Sequence, residues 1–253
     1  MTEPPSLSVY RDRDLPVYLS TRFLSTIALM VQSVAVGWQI YDISRDPLSL
    51  GLVGLSQFLP MFLLTLPAGE ISDRFDQRKI LAAALVLEAV SAGLLFLLTF
   101  THPHTTWPFY AVLVLFGAAR GFSGPAGQSL LPFLVTRERL PNAIAWGSSV
   151  FQVAVIAGPA IGGFVYALGP AVAYALCAMC YLGAGLGTIT LGGRRRVEDD
   201  TPMAGRMERV KEGVQFVRTR PVVMGAISLD LFAVLLGGAT ALLPVFARDI
   251  LHA

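Results

Sequence analysis

The sequence has little charge and few cysteines, and each shortage excludes a class of protein. Charged residues make up 14% of the 253 residues and hydrophobic ones 54%, whereas soluble domains carry about 25% charged residues. This balance excludes a disordered chain and argues against a water-soluble enzyme. The formal net charge of +2 is too small for a nucleic-acid-binding surface. Two cysteines cannot form a disulfide framework.

Motifs for catalysis, cofactors and metals are also missing. There is no phosphate-binding GxxxxGK[ST], no HExxH and no recognisable catalytic triad. Cys177 and Cys180 form a CxxC on an apolar segment without further ligands, so we interpret them as buried small hydrophobic residues. His102 and His104 are two ligands at most, too few for a zinc site. We therefore expect no enzyme activity, no cofactor and no metal.

Seven long apolar stretches dominate the chain. A bilayer core needs about 20 apolar residues per helix, and a backbone in lipid must satisfy its hydrogen bonds internally. The sequence therefore predicts an all-α integral membrane protein with seven spanning helices. The stretches are Leu15 to Ile43, Leu48 to Ile71, Ile80 to Phe100, Trp107 to Leu131, Asn142 to Leu168, Ala171 to Leu191, and Val222 to Ala247.

The distribution of basic residues predicts the orientation. With the N-terminus inside, 15 of the 19 Lys and Arg residues lie in inner segments, two in outer segments, and two, Arg22 and Arg120, within helices. Cytoplasmic loops carry such an excess. We therefore predict a multi-pass protein of the cell membrane with a cytoplasmic N-terminus.

The polar segments divide the chain into regions. Residues 1–14 form a cytoplasmic tail, residues 15–191 hold six helices, and residues 221–253 hold the seventh. Residues 192–220 form a basic linker, in which Met207, Val210, Val214 and Val217 follow helical spacing. This spacing predicts an amphipathic helix on the inner membrane surface, with a plain basic loop as the alternative.

Three motifs carry a family resemblance. The segment Gly69 to Leu81, "GEISDRFDQRKIL", the segment "AGPAIGGFVYALG" in helix 5, and Arg120 before Gly121 in helix 4 resemble motifs of the major facilitator superfamily. Asp76 stands where the family usually has glycine. The chain also resembles the branch with enterobactin exporters and macrolide efflux proteins. In the first motif Gly69, Asp73, Arg74, Arg78 and Leu81 match, and Lys79 belongs to its basic cluster. In helix 5 Gly158, Pro159, Gly162 and Gly163 match, and Ala154 stands where the motif has its leading glycine.

The resemblance implies a fold and a way of working. Members have two six-helix halves around a central cavity, so the chain would be the N-terminal half plus helix 7, a truncated transporter. The first motif would hold the inner gate shut, although for Arg78 and Lys79 the positive-inside rule is an equal explanation. The helix 5 motif is associated with antiporters and would pack on the other half; close packing within the first half is the alternative.

A polar stripe runs along helix 1. Tyr18, Ser25, Gln32 and Gln39 recur every seven residues, which returns to the same side of a helix. Polar side chains facing lipid are unfavourable, so the stripe should face the bundle interior. We expect Gln32 and Gln39 to line a substrate cavity; hydrogen bonding between helices is the alternative.

Four charged residues lie within predicted helices. Arg22 either snorkels to the interface or has a function, and Arg120, near the middle of helix 4, needs a partner. Glu88 and Asp230 lie near the midplane, where an apolar setting lets a carboxyl group exchange a proton at physiological pH. We interpret all four as residues for substrate binding or proton coupling, with a Glu88–arginine pair as the alternative for Glu88.

These features predict a secondary active transporter that exports a small amphipathic compound, such as a siderophore or drug, by alternating access. The expected partners are that substrate, protons and the lipid bilayer, with no nucleic acid. The alternative is a truncated, non-transporting membrane fragment or scaffold.

Overall fold

Six α-helices account for nearly all of the chain that the structure, a computed structural model, describes. The described residues are 14–101, 105–192, 219–220, 223–225 and 228–229. The helices are α1 (Asp14–Ser44), α2 (Pro47–Arg74), α3 (Gln77–Phe100), α4 (Trp107–Leu134), α5 (Leu140–Ala167) and α6 (Pro170–Ile189). Each contains a segment long and apolar enough to cross a membrane. The predicted all-α membrane class is confirmed.

The remaining predicted elements fall largely outside the described residues. The chain divides into two compact units, Met1–Arg194 and Arg195–Ala253. The six helices belong to the first unit. The linker helix, Asp230 and most of the seventh predicted helix lie in the second unit, of which only short pieces are described.

The helices are joined by short connections that the local sequence specifies. Only Phe75 and Asp76 separate α2 from α3. Asp76 caps α3 by accepting a hydrogen bond from the Arg78 backbone N–H at 3.0 Å. Asp46 caps α2 in the same way through the Leu48 N–H at 3.1 Å. Between α5 and α6, Gly169 adopts a φ of 120°, a conformation that favours glycine.

Two helices extend beyond their apolar stretches. The prediction ended helix 2 at Ile71 and helix 4 at Leu131, but α2 ends at Arg74 and α4 at Leu134. Hydropathy reports the part of a helix that crosses lipid, whereas backbone hydrogen bonding continues into the aqueous interface. Asp73 and Arg74 therefore lie in the last turn of α2 and not in a loop.

The packing of the six helices has an internal two-fold relation. Helix α1 packs on α5 and α6, α4 packs on α2 and α3, and α3 packs on α6. Exchanging helices 1–3 with helices 4–6 maps every one of these pairs onto another pair or onto itself. Inverted repeats of three helices produce this pattern. It places α1 and α4, the helices that carry Arg22 and Arg120, in equivalent positions.

Glycines on α4 allow α2 to approach closely. A Cβ atom at Gly117 would collide with the Gln57 backbone oxygen of α2, and one at Gly121 would lie 3.2 Å from the Met61 backbone oxygen. The GxxxG spacing of Gly117 and Gly121 in the sequence predicts that another helix approaches closely, and the contacts with α2 confirm it. Gly124, one turn further along α4, has no such neighbour within 4 Å.

We predict that Gly117→Ala destabilises the bundle, because the new methyl group meets rigid backbone. Overpacking of this kind is unfavourable by about 1 to 3 kcal/mol. Thermal unfolding of the purified chain in detergent should show a lower midpoint for this variant. The control is Gly124→Ala, which should be neutral or slightly stabilising, since alanine is the better helix former. Equal midpoints for both variants would contradict the assigned α2–α4 contact.

Candidate functional site

A polar cavity lies inside the bundle, between α1, α3 and α4. Its volume is about 290 Å³. It occupies the first half of α1 and α3 and the second half of α4, and thus the end of the bundle at which α1 begins. The residues that line it include Tyr18, Thr21, Arg22, Ser25, Thr26, Leu29, Leu81, Leu85, Glu88, Arg120, Ser123, Gly124, Gly127, Gln128 and Phe151.

Glu88 is the one carboxyl group on the cavity wall. It lies halfway along α3 and is 4% exposed. The Ser123 hydroxyl of α4 donates a hydrogen bond to its Oε1 atom at 2.6 Å. Arg120 lies one turn before Ser123 and lines the same cavity. Glu88 and Arg120 form no ion pair, so the direct partner of Glu88 is Ser123, a residue that the sequence analysis did not select.

Arg22 contributes to the cavity wall from α1. Its Nη1 atom donates to the Tyr18 hydroxyl at 3.3 Å, and its guanidinium carbon lies 5.3 Å from the centre of the Phe151 ring. The Tyr18 hydroxyl donates in turn to the Gly127 carbonyl of α4 at 2.9 Å. These contacts place Arg22 on the cavity wall. The buried Nε atom has no hydrogen-bond partner in the described part of the chain.

The polar stripe of helix 1 separates into two parts. Tyr18 and Ser25 line the cavity. Gln32 and Gln39 lie further along α1, buried among the helices and outside the cavity wall. Gln39 accepts a hydrogen bond from the Tyr174 hydroxyl of α6 at 2.7 Å. This contact is of the kind that the alternative, interhelical hydrogen bonding, expects. That Gln32 and Gln39 line a cavity during transport stays a prediction.

Gln32 differs from Gln39 because its amide is unsatisfied. The side chain is 2% exposed, and neither its Nε2 nor its Oε1 atom has a partner among the described residues. The buried hydroxyl of Tyr181 on α6 likewise has no hydrogen-bond partner among the described residues. Such groups are rare in proteins and point to bound water or to another arrangement of the helices.

The helix 5 motif has an inward and an outward side. Ala154, Gly158 and Gly162 are buried, and the two glycines face α1: a Cβ atom at Gly158 would collide with Met30, and one at Gly162 would lie 3.2 Å from the Val31 Cα atom. Pro159 and Gly163 are exposed. The first three residues therefore pack within the six-helix bundle, and the outer two remain the positions for a contact with another half.

The motif between α2 and α3 anchors the end of α6. Arg78 pairs with Asp76 at 2.9 Å, and its Nη1 atom donates to the Leu191 carbonyl at 2.6 Å. A cation at this place also complements the negative end of the α6 dipole. Gly69 lies in α2 and Lys79 is exposed at the start of α3. The side chains of Asp73 and Arg74 lie outside the described residues.

The Arg78 contact sets the charge state of Asp76. Partial burial of the carboxyl raises its pKa, but hydrogen bonds from Arg78 and the charges of Arg78 and Lys79 outweigh this and leave it below its usual value. Asp14 acts nearby, since its Oδ1 atom accepts a hydrogen bond from the Gly192 N–H at 3.1 Å. The segment after α6 is therefore tied to both α1 and α3. Sequence reasoning missed both acids, because neither belongs to an apolar stretch.

No metal centre is present in the described part of the chain, where no three His, Cys, Asp or Glu residues gather. Cys177 is buried and its Sγ atom lies 3.4 Å from the Ala28 carbonyl oxygen, while Cys180 is half-buried. The two cysteines are free.

Comparison with known proteins identifies similar sequences. Residues 10–253 match the sequence model of a major facilitator family described as "Transmembrane secretion effector". The staphyloferrin A transporter of Staphylococcus aureus is 25% identical over 60% of this chain and 38% of its own. Macrolide efflux protein A of Streptococcus pyogenes is 24% identical over 66% and 41%, and the enterobactin exporter EntS of Shigella boydii is 30% identical over 58% and 36%. The chain spans about two fifths of the length of these relatives.

We predict that Asp76→Asn lowers thermal stability in a pH-dependent way. Asparagine also caps helices well, so the variant chiefly removes the charge pair with Arg78. Such a partly exposed pair is worth about 1 kcal/mol or less. Because the folded-state pKa of Asp76 is lowered from an unfolded value of about 3.9, its stabilisation is full above that pH. It is lost as the pH falls through the folded-state pKa.

The measurement is the unfolding midpoint of both proteins between neutral and acidic pH. The gap between wild type and Asp76→Asn should close on acidification. Asp46→Asn is the control, since Asp46 caps α2 without an ion pair among the described residues. A gap that stays constant with pH, or an equal gap for Asp46→Asn, would show that the Arg78 pair does not stabilise the α2–α3 connection.

Proposed function

We propose that this chain, which belongs to the transmembrane secretion effector family of the major facilitator superfamily, works in secondary active export of a small amphipathic molecule. The six described helices would form one half of the two-half transporter of this superfamily, and substrate would bind near the middle of the membrane. The observation that carries the proposal is the cavity with Arg22, Glu88 and Arg120 on its wall. Charged side chains inside a membrane bundle are unfavourable unless they serve a pathway or a ligand.

The relatives support export as the direction. Their names are those of a staphyloferrin A transporter, a macrolide efflux protein and an enterobactin exporter. All are transporters by name, which favours transport over a non-transporting scaffold and over an enzyme. A wall that combines leucines with arginines, a carboxyl group and hydroxyls suits a substrate with one apolar and one polar part.

Glu88 is the best-placed residue in the described chain for proton coupling. Desolvation favours its neutral form, whereas the Ser123 hydroxyl and the charge of Arg120 favour the carboxylate. A carboxyl group held between opposing influences can take up a proton on one side of the membrane and release it on the other. In the carboxylate state, Oε1 keeps the Ser123 hydrogen bond. Asp230, outside the described residues, stays a second candidate from sequence.

The proposed orientation puts the N-terminus and the end of the bundle that holds the cavity on the cytoplasmic side of the cell membrane. It rests on the basic-residue asymmetry. The inner gate assigned to Asp73 and Arg74, in the last turn of α2, would then lie on the same side. The Arg78–Leu191 hydrogen bond would hold α6 in place while this region moves.

Two exposed loop residues test the orientation. We predict that, in a Cys177→Ala/Cys180→Ala background, Thr105→Cys reacts with an impermeant maleimide in intact cells. Glu138→Cys, in the loop at the opposite end of the bundle, should react only after the membrane is permeabilised. Both positions are exposed, so burial cannot explain a difference. The reverse pattern would overturn the orientation.

Transport itself is tested with Glu88→Gln, which is nearly isosteric but cannot titrate. In everted membrane vesicles with an inward-acidic proton gradient, wild type should accumulate enterobactin or a macrolide against its gradient. We predict that Glu88→Gln abolishes this uphill accumulation and spares exchange of substrate down its gradient. The control is Glu138→Gln, which removes an exposed loop acid.

Three results bear on the proposal. Unchanged uphill transport by Glu88→Gln, with unchanged pH dependence, would remove the proton role of Glu88. Loss of both uphill transport and exchange, in a chain that inserts normally, would make Glu88 a binding residue. Failure of wild type to accumulate either compound class would contradict the proposed export function.

A further inference from the structure

Among the described residues, the cavity wall carries an excess of positive charge. Its charged residues in that part of the chain are Arg22, Arg120 and Glu88, two cations against one carboxyl group. If Glu88 is ionised the wall is positive by one charge, and if Glu88 is protonated the excess is two. An apolar bundle in lipid screens charge poorly, so this excess calls for a counter-charge or water from outside the described residues, and a bound anion would supply it.

Glu88 does not neutralise either arginine directly. Its Oε1 atom is occupied by the Ser123 hydroxyl at 2.6 Å, and it forms an ion pair with neither cation. The carboxyl group is also the least accessible of the three, at 4% exposure, while both arginines are half-buried at the cavity surface. A ligand entering the cavity therefore meets the two guanidinium groups more readily than the acid.

The arginines have hydrogen-bond donors to spare. Arg120 makes no hydrogen bond or ion pair within the described ranges. Arg22 uses Nη1 on the Tyr18 hydroxyl, but its buried Nε has no partner in the same part of the chain. Its guanidinium carbon lies over the Phe151 ring, 5.3 Å from the ring centre, and such a contact with the ring face uses the charge and not the N–H hydrogen bonds. The planar fork of arginine matches a carboxylate.

From this arrangement we propose that the cavity binds its substrate through an oxyanion, a carboxylate held by Arg22 and Arg120. The apolar part of the substrate would lie against Leu29, Leu85 and Phe151. This inference rests on the proposed export function and adds the substrate class, an amphipathic organic acid. The competing class is a cationic drug. Among the described residues of the cavity wall, its counter-charge would have to be Glu88, which is buried and already accepts a hydrogen bond from Ser123.

Three small probes of the same shape test the charge preference. Benzoate, benzamide and benzamidinium are planar and nearly isosteric, and they carry negative, zero and positive charge. The 253-residue chain is purified in dodecyl maltoside, a neutral detergent, and saturable binding of radiolabelled benzoate is measured by equilibrium dialysis. The other two probes are added as competitors. Dodecyl phosphate is a third competitor, because a lipid headgroup also supplies an oxyanion.

We expect benzoate to bind at one site per chain and benzamide and benzamidinium to compete at least about tenfold more weakly, the usual effect of losing a hydrogen bond to a charged group. Arg22→Gln and Arg120→Gln should each reduce benzoate affinity by about tenfold or more. Arg120→Lys keeps the positive charge but loses the planar guanidinium, so its benzoate affinity should lie between those of wild type and Arg120→Gln. Arg137→Gln, in an exposed loop, is the control and should bind like wild type.

The order of affinities of the three probes is measured on the wild-type chain. The test therefore does not depend on whether the arginine variants fold. Tighter binding of benzamidinium than of benzoate would overturn the proposal, as would no saturable benzoate binding. Tighter, arginine-dependent binding of dodecyl phosphate would assign the site to lipid and overturn the substrate class. If the chain exports substrate but binds benzamidinium more tightly than benzoate, the proposed export function is supported and the oxyanion site is refuted. A chain that binds benzoate through both arginines but never exports keeps the anion site alone.

Discussion

The structure depends on how a bundle in lipid satisfies the polar groups that it buries. Backbone groups in lipid are satisfied within helices, and most buried side chains of the described residues are apolar. Three of the buried polar residues, Thr21, Thr26 and Glu88, line the cavity between α1, α3 and α4. There Tyr18, Ser123 and Gly127 take part in the hydrogen bonds. Arg120 and the Nε atom of Arg22, both on the cavity wall, find no such partner in the part of the chain described. This unmet demand is the physical reason to regard the cavity as a binding site and not as a packing defect.

Close backbone contacts make that cavity possible. The α2–α4 and α1–α5 pairs approach through Gly117, Gly121, Gly158 and Gly162, so the outer helices need little space. The end of the bundle at which α1 begins is held separately, by Arg78 and Asp14, which hydrogen-bond to the residues after α6. Tight helix pairs and a fastened end hold the polar wall in position. The exposed Pro159 and Gly163 leave one face of α5 for other contacts.

Much of the fold could be predicted from the sequence, because lipid imposes a strong pattern. Apolar length identified six helices that the structure describes, and glycine spacing identified the close approach to α4. The charged residues Arg22, Glu88 and Arg120 could be selected because charge within an apolar run is conspicuous. Their partners could not be selected from the sequence, because Ser123 and Phe151 are ordinary residues in helices. Only the three-dimensional packing brings Ser123 to Glu88 and Phe151 to Arg22. The seven-residue period predicts that Tyr18, Ser25, Gln32 and Gln39 share one face of helix 1. It does not predict that the cavity ends before Gln32.

The account's central claim is that this wall is an accessible, wet cavity inside the membrane. The most direct measurement compares the reaction of cysteines at Ser25 and Val31 with a small charged methanethiosulfonate reagent, in a chain whose own two cysteines are replaced by alanine. Ser25 lines the cavity, whereas Val31, under two turns further along α1, has no exposed surface. The account predicts rapid modification of Ser25→Cys and protection of Val31→Cys. Equal protection of both in a folded chain would contradict it.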